Sequence, residues 1–202
     1  MTVALTRMQI TRLMKAIDPN HVDKKRGLSY MAQHEVRAEL TRIFGYGNWD
    51  SQVESMDLLW EDTYEKDGKT YFRACYQAAV RLNIRDYWGN PICSFVEWHC
   101  EANSGLPDRG EAYAMAITSV ESYALRRAAL GLGDRLGLGL YNDGQITPLV
   151  RGSLQFTDPD SPLYQAPDKA PSGENPERQE RLAHLQAVVN APKGGVGDSG
   201  AQ

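Results

Sequence analysis

Two adjacent arginines near the end of a long run of small residues are the strongest chemical signal in the chain. Residues 111–133 read EAYAMAITSVESYALRRAALGLG, with Arg126 and Arg127 just before a glycine-rich exit. A guanidinium stays charged, and its planar fork of donors matches phosphate bidentately. The same arginines could serve the helix itself, since cations near a C-terminus complement the macrodipole and cap its last carbonyls. From residue types alone both readings stand open. A second basic group, Lys24, Lys25 and Arg26, is consecutive.

Other candidates carry less. Glu97, Trp98, His99 and Cys100 follow one another in a strand-like run. Successive strand residues face opposite sides, so His99 and Cys100 cannot simply form a nucleophile–base pair. Three cysteines, Cys75, Cys93 and Cys100, are too few and too irregular for a disulfide framework or a zinc site. They fit strand cysteines in a reducing, intracellular setting. The formal net charge is −4, so composition gives no support for nucleic-acid binding, and any such case rests on where the charges sit. Acidic residues crowd into 54–67. No apolar run approaches membrane-spanning length. The N-terminus lacks the apolar core and cleavage site of a secretory signal. A cytoplasmic location is expected.

The elements that must position these residues can be read from periodicity and turn chemistry. Residues 5–17 have helical apolar spacing, ended by Asp18-Pro19-Asn20. HVDKKRG reads as a basic loop, and 31–44 as a second helix with Val36, Leu40, Ile43 and Phe44 on one side and Glu35, Arg37, Glu39 and Arg42 elsewhere. Three strand-like runs follow, 49–61, 70–85 and 91–100. Asp67-Gly68 marks a hairpin turn and DYWGN another, so the meander is antiparallel. Asp108 is a candidate N-cap for the long helix. At about 100° per residue, Met115, Ser119, Ser122 and Arg126 share one sector, and Ala116, Val120, Tyr123 and Arg127 the next. Arg73, Arg81 and Arg85 share a strand face and are expected to line a groove with the helix arginines, solvated-face arginine being the alternative. Tyr30, Tyr46, Trp49, Tyr71, Tyr76 and Trp98 are candidates for base stacking, core or subunit contacts.

The fold class is therefore α+β: a three-stranded antiparallel meander packed on a long helix, preceded by N-terminal helices. One helix covers one sheet face, and the edges need a partner; a ring of subunits with joined sheet edges would provide it. The domain is expected over 1–150. From 151 to 202 prolines recur and aromatics thin out, which reads as a disordered tail with a candidate short helix over 175–190.

The stretch GLSYMAQHEVRAELTRIFGYGNWD carries Ser29-Tyr30, His34, Arg37 and Phe44-Gly45-Tyr46-Gly47-Asn48-Trp49, and the long helix carries Ala124-Leu125-Arg126-Arg127-Ala128, then Gly133 and Leu136-Gly137. In this order the motifs resemble the Rad-fifty-two/Rad-twenty-two family of single-strand annealing proteins, over about residues 19–140. The resemblance implies an oligomeric ring or helix of identical subunits that binds single-stranded DNA in a positive groove. It implies strand annealing in homologous recombination and double-strand break repair, with no cofactor, no ATP and no covalent chemistry. Arg126-Arg127 match the family's main backbone-binding pair. Lys25 best matches a basic residue facing the same groove, with Lys24 and Arg26 beside it. Leu130 stands where the family often has a third basic residue. An outer DNA site has Arg109 as its one candidate. Compact members of the family are typical of bacteriophages, and the tail helix is a candidate contact for a host single-strand-binding protein. A thioesterase or small-molecule-binding protein of the hot-dog type is the alternative, since it too lays a long helix on an antiparallel sheet. It would need a longer strand set after the helix, and only about ten ordered-looking residues follow Gly139, which argues against it.

Overall fold

A computed structural model describes residues 5–25 and 27–150, which belong to one compact unit. The expected tail helix over 175–190 lies outside the described residues.

Helix α1 spans Arg7–Leu13. Thr6 starts it with a capping box, its hydroxyl accepting from the Gln9 amide while the Gln9 side chain accepts from the Thr6 amide. It is shorter than the expected 5–17 because the chain leaves the helix after Leu13, which lets the Ala16 carbonyl accept from Arg135 Nη1 at 3.1 Å. The basic segment is not a loop. Strands β1 (Val22–Lys25) and β2 (Leu28–Met31) form a two-stranded antiparallel hairpin, turning where Gly27 takes φ +80°.

Helix α2 spans Gln33–Phe44. The residues after it explain their own spacing. Gly45 and Gly47 take φ of +88° and +82°, which glycine adopts without steric cost. Asn48 Nδ2 then donates to the Phe44 carbonyl at 2.9 Å, and Trp49 Nε1 to Thr41 Oγ1 at 3.2 Å. The motif thus ends α2 and aims the chain into the sheet.

Strands β3 (Trp49–Lys66), β4 (Lys69–Arg85) and β5 (Pro91–Ala102) form an antiparallel meander in that order. At the β3–β4 turn, Asp67 and Gly68 both have positive φ, 52° and 71°, the type I′ pattern that matches strand twist. On β4 the even-numbered Ala74, Ala78, Val80, Leu82 and Ile84 are fully buried. Val80, Leu82 and Ile84 meet helix α3 (Arg109–Leu130) through Ala124, Leu125, Ala128 and Ala129. Alanine at these positions lets the helix backbone approach the sheet, and α2 closes the same core with Val36, Leu40, Ile43 and Phe44. Asp108 caps α3, accepting from the Glu111 amide at 2.7 Å. Asn103 is buried beside it, accepting from the Ala74 amide and donating to the Ala112 carbonyl. The helix stops where a Cβ on Gly131 would collide with the Phe95 ring.

Among the described residues, two charged groups lie inside. Glu39, expected among the residues off the apolar side of α2, is fully buried. Its Oε1 accepts from Arg12 Nε at 3.1 Å and Arg135 Nε at 2.6 Å, and its Oε2 from Arg42 Nη1 at 2.9 Å. Burial pushes the Glu39 carboxyl up, but the hydrogen bonds from Arg135, Arg42 and Arg12 outweigh it and bring its pKa down to about 2. Asp134, in a 3-10 turn after α3, accepts from the amides of Leu149 and Val150.

The sheet face away from α3 carries a ladder of opposite charges. Arg73 pairs with Asp62, Arg81 with Glu54 and Arg85 with Asp50. Cys75 and Cys100 also lie on this face, with sulfurs 3.3 Å apart. Burial, with the Cys100 thiol and Glu101, pushes the Cys75 thiol up to about 11, while Cys100 is exposed. Since the thiolate is the reactive form, N-ethylmaleimide at pH 8 is expected to alkylate Cys100 first. Cys75 should lag an ordinary thiol by about a hundredfold on thiolate fraction alone. Peptide mass spectrometry reads the order, and equal labelling of both would contradict this arrangement.

Candidate nucleic-acid interface

A groove of about 770 Å³ runs between the β1–β2 hairpin, the C-terminal half of α3 and the helix-facing side of β5. Gly27, Ser29 and Tyr30 come from the hairpin, Tyr123, Arg126, Arg127 and Leu130 from α3, and His99 and Glu101 from β5. The turns after α3 close one end with Tyr141 and Asp143. A smaller polar recess of about 260 Å³ adjoins it along Gln33, Thr118, Ser119 and Ser122, sharing Tyr123 and Arg126. The small polar stripe of α3 therefore continues the groove.

The two arginines are held differently. Arg126 Nη1 donates to the Met31 carbonyl at 3.2 Å, and its guanidinium carbon lies 4.0 Å from the Tyr123 ring centre and 5.1 Å from that of Tyr30. Carbonyl and aromatic contacts orient a guanidinium without neutralising it. Arg127 Nη2 donates to Glu97 Oε2 at 3.2 Å, both side chains being about two-fifths exposed. An ion pair so exposed is worth only about 0–1 kcal/mol, so an incoming phosphate can displace the carboxylate.

His99 stacks on Tyr123 with ring centres 4.7 Å apart, and its Nε2 lies 3.4 Å from Glu101 Oε2. Burial lowers its pKa, Arg127 and Arg126 lower it further, and the pull of Glu101 in the other direction does not compensate.

The sequence-derived candidates separate into groups. Arg126 and Arg127 line the groove together. Lys24 is exposed on β1 directly opposite Ser29, and paired residues share a face, so it emerges on the side from which Ser29 lines the groove. Lys25 is placed by its backbone opposite Leu28; Arg26 lies outside the described residues. Arg73, Arg81 and Arg85 do share a face, but the one turned away from α3, each ion-paired with a β3 carboxylate. The structure does not bring them to the groove, because the apolar even-numbered side of β4 is the one that packs on α3. Arg109 sits at the opposite end of α3, about 25 Å from Arg126 by helical rise, against Glu61 and Tyr113. Of the six aromatic candidates, Tyr30 lines the groove, whereas Trp98 is exposed on the far face and Tyr46 in its turn. Tyr123, Glu97, Glu101 and the groove-facing placement of His99 were not anticipated. The signal was present: Glu97, His99 and Glu101 alternate along β5, and Tyr123 precedes Arg126 by three residues, within side-chain reach on a helix.

Residues 5–152 match the family model described as Rad52/22 family double-strand break repair protein. The chain belongs to the Rad52/22 family. This is a family of DNA recombination and repair, whose proteins bind DNA. The groove and the whole compact fold fall within the matched span. The chain is also 23% identical over 177 residues to the DNA repair and recombination protein radC of Emericella nidulans, covering 83% of this chain and 28% of that protein. This Rad52/22 chain thus spans little more than a quarter of that relative's length. Among the described residues, no helix is long and apolar enough to cross a membrane.

Proposed function

We propose that this protein binds single-stranded DNA along the groove and pairs complementary strands as a homo-oligomer, without ATP or covalent chemistry. The observation that carries the reading is Arg126 and Arg127 side by side on the floor of an open groove, opposite a hairpin bearing Lys24 and Lys25. Guanidinium contacts to phosphate carry no sequence information, so any strand is held alike. With the backbone gripped, base edges are left facing outward for a complementary strand. A protomer of net charge −4 is compatible with this, because each copy adds the same few cations to a shared track. Strands β3 and β5 are the two edges of the meander, and pairing between edges of neighbouring copies is a direct route to assembly. The hot-dog alternative needs further strands after the long helix; up to residue 150 the described residues after α3 form only 3-10 turns.

The test uses labelled complementary oligonucleotides without nucleotide or metal. The protein should accelerate pairing severalfold or more, and log affinity for a single strand should fall linearly with log salt, with slope near −0.7 per phosphate neutralised. Absence of both binding and acceleration would reject the proposal, and a flat salt response would reject phosphate contacts as its basis.

A further inference from the structure

We propose that His99 is a third phosphate contact on the groove floor, cationic only while a strand is bound. This rests on the groove reading above and adds a group to it.

The geometry comes first. His99 is paired with Ala78 on β4, so it projects from the sheet toward α3 and into the groove beside Arg126 and Arg127. Its side chain is 26% exposed, enough for a ligand to reach. Stacking on Tyr123 fixes the ring in the same aromatic assembly that orients Arg126. Leu130, one turn beyond the arginines, also lines the groove and is apolar, so α3 offers no third cation there.

The chemistry follows from the neighbours. The chargeable groups facing this part of the groove are Glu97 and Glu101 on β5, Tyr123, Arg126 and Arg127 on α3, Tyr30 on β2, and Tyr141 and Asp143 from the turns. Without a ligand, partial burial disfavours a charged imidazole most, Glu101 opposes it in part, and the two arginines add to the burial, so the neutral form is favoured. A phosphate reverses the balance. It screens the arginines, draws Arg127 away from Glu97, and adds an anion within reach of the ring. Strand binding therefore takes up a proton at His99, and by linkage affinity rises as pH falls toward and below the ordinary histidine range.

The experiment titrates binding of a fluorescein-labelled oligo-dT strand to the full chain at pH 7.5 and 5.5. Wild type should bind about tenfold more tightly at the lower pH, the amount one acquired charged contact typically supplies. The salt slope should steepen by about 0.7. His99→Gln should flatten the pH response, and His99→Lys should make tight binding independent of pH. On wild type alone, the His99 imidazole resonance should titrate at higher pH with the strand than without it. An unchanged pH response in His99→Gln, or a His99 titration that the strand leaves unmoved, overturns the inference while leaving the arginine groove intact. Failure of wild type to bind at every pH overturns the groove itself and this inference with it.

Discussion

Replacing Arg126 and Arg127 together by alanine should abolish strand annealing and weaken oligo-dT binding by about a hundredfold or more. A hydrogen bond to a charged group contributes about 1.5–3 kcal/mol, and two guanidiniums lie on the groove floor. The salt slope should drop by about 1.4, the contribution of two phosphate contacts on a single strand. The singles should differ. Arg127 is tied to little besides Glu97, so Arg127→Ala reports phosphate contact almost purely. Arg126 also pins the hairpin through the Met31 carbonyl and the Tyr30 and Tyr123 rings. Arg126→Lys keeps the charge but loses the fork and the stacking, and should recover the salt slope better than the affinity. If the double variant anneals as well as wild type, the strand does not bind in this groove.

The second large effect concerns stability. Glu39→Gln should lower the unfolding free energy by about 3 kcal/mol at pH 7, because removing one partner of a buried ionic cluster leaves the others uncompensated. Three arginines, Arg12, Arg42 and Arg135, converge on this one buried carboxylate. The protonation balance gives a matching size. A carboxyl moved from 4.5 to about 2 on folding corresponds to about 3 kcal/mol. The sign is that of a depressed acid: the stabilisation is complete above about pH 4.5 and is lost as pH falls through the folded value near 2. The gap between wild type and Glu39→Gln in urea denaturation should therefore be constant from pH 7 to 5 and shrink to about half by pH 3. A gap below about 0.5 kcal/mol at pH 7, the range of ordinary surface substitutions, would mean the cluster contributes nothing net.

These two predictions differ in how far the sequence announces them. Element order, the antiparallel meander and the Asp67-Gly68 turn follow from local rules, and the structure has them. The β1–β2 hairpin does not, since four-residue strands around a basic turn offer too short an alternation to stand out from a loop. Glu39 is legible in part from its position. It lies three residues after Val36 and four before Ile43, on the buried stripe of α2, where a carboxylate is tolerated only if partners reach it; those partners come from α1 and from the turn after α3, distant in sequence. For Arg73, Arg81 and Arg85 the period-two spacing established a common face. Val80, Leu82 and Ile84, between and beside them, indicate that the opposite face is the one under the helix. His99 joined the groove by the same alternation, but only the packing of α3 across β5 gives its side a function.

The ladder of arginines and carboxylates on the far face has a consequence for how the long hairpin aligns. An apolar pattern of period two forbids a slip by one residue, because every core side chain would turn to solvent. It does not forbid a slip by two, which keeps each face intact. Here a two-residue slip would carry Arg73 from Asp62 to Trp60 or Tyr64, and Asn83 from Asp50 to Gln52 or Asn48. The Arg73–Asp62 and Asn83–Asp50 pairs thus discriminate among registers to which hydrophobicity is blind, and they act as an alignment code for a strand pair too long to be set by its turn alone.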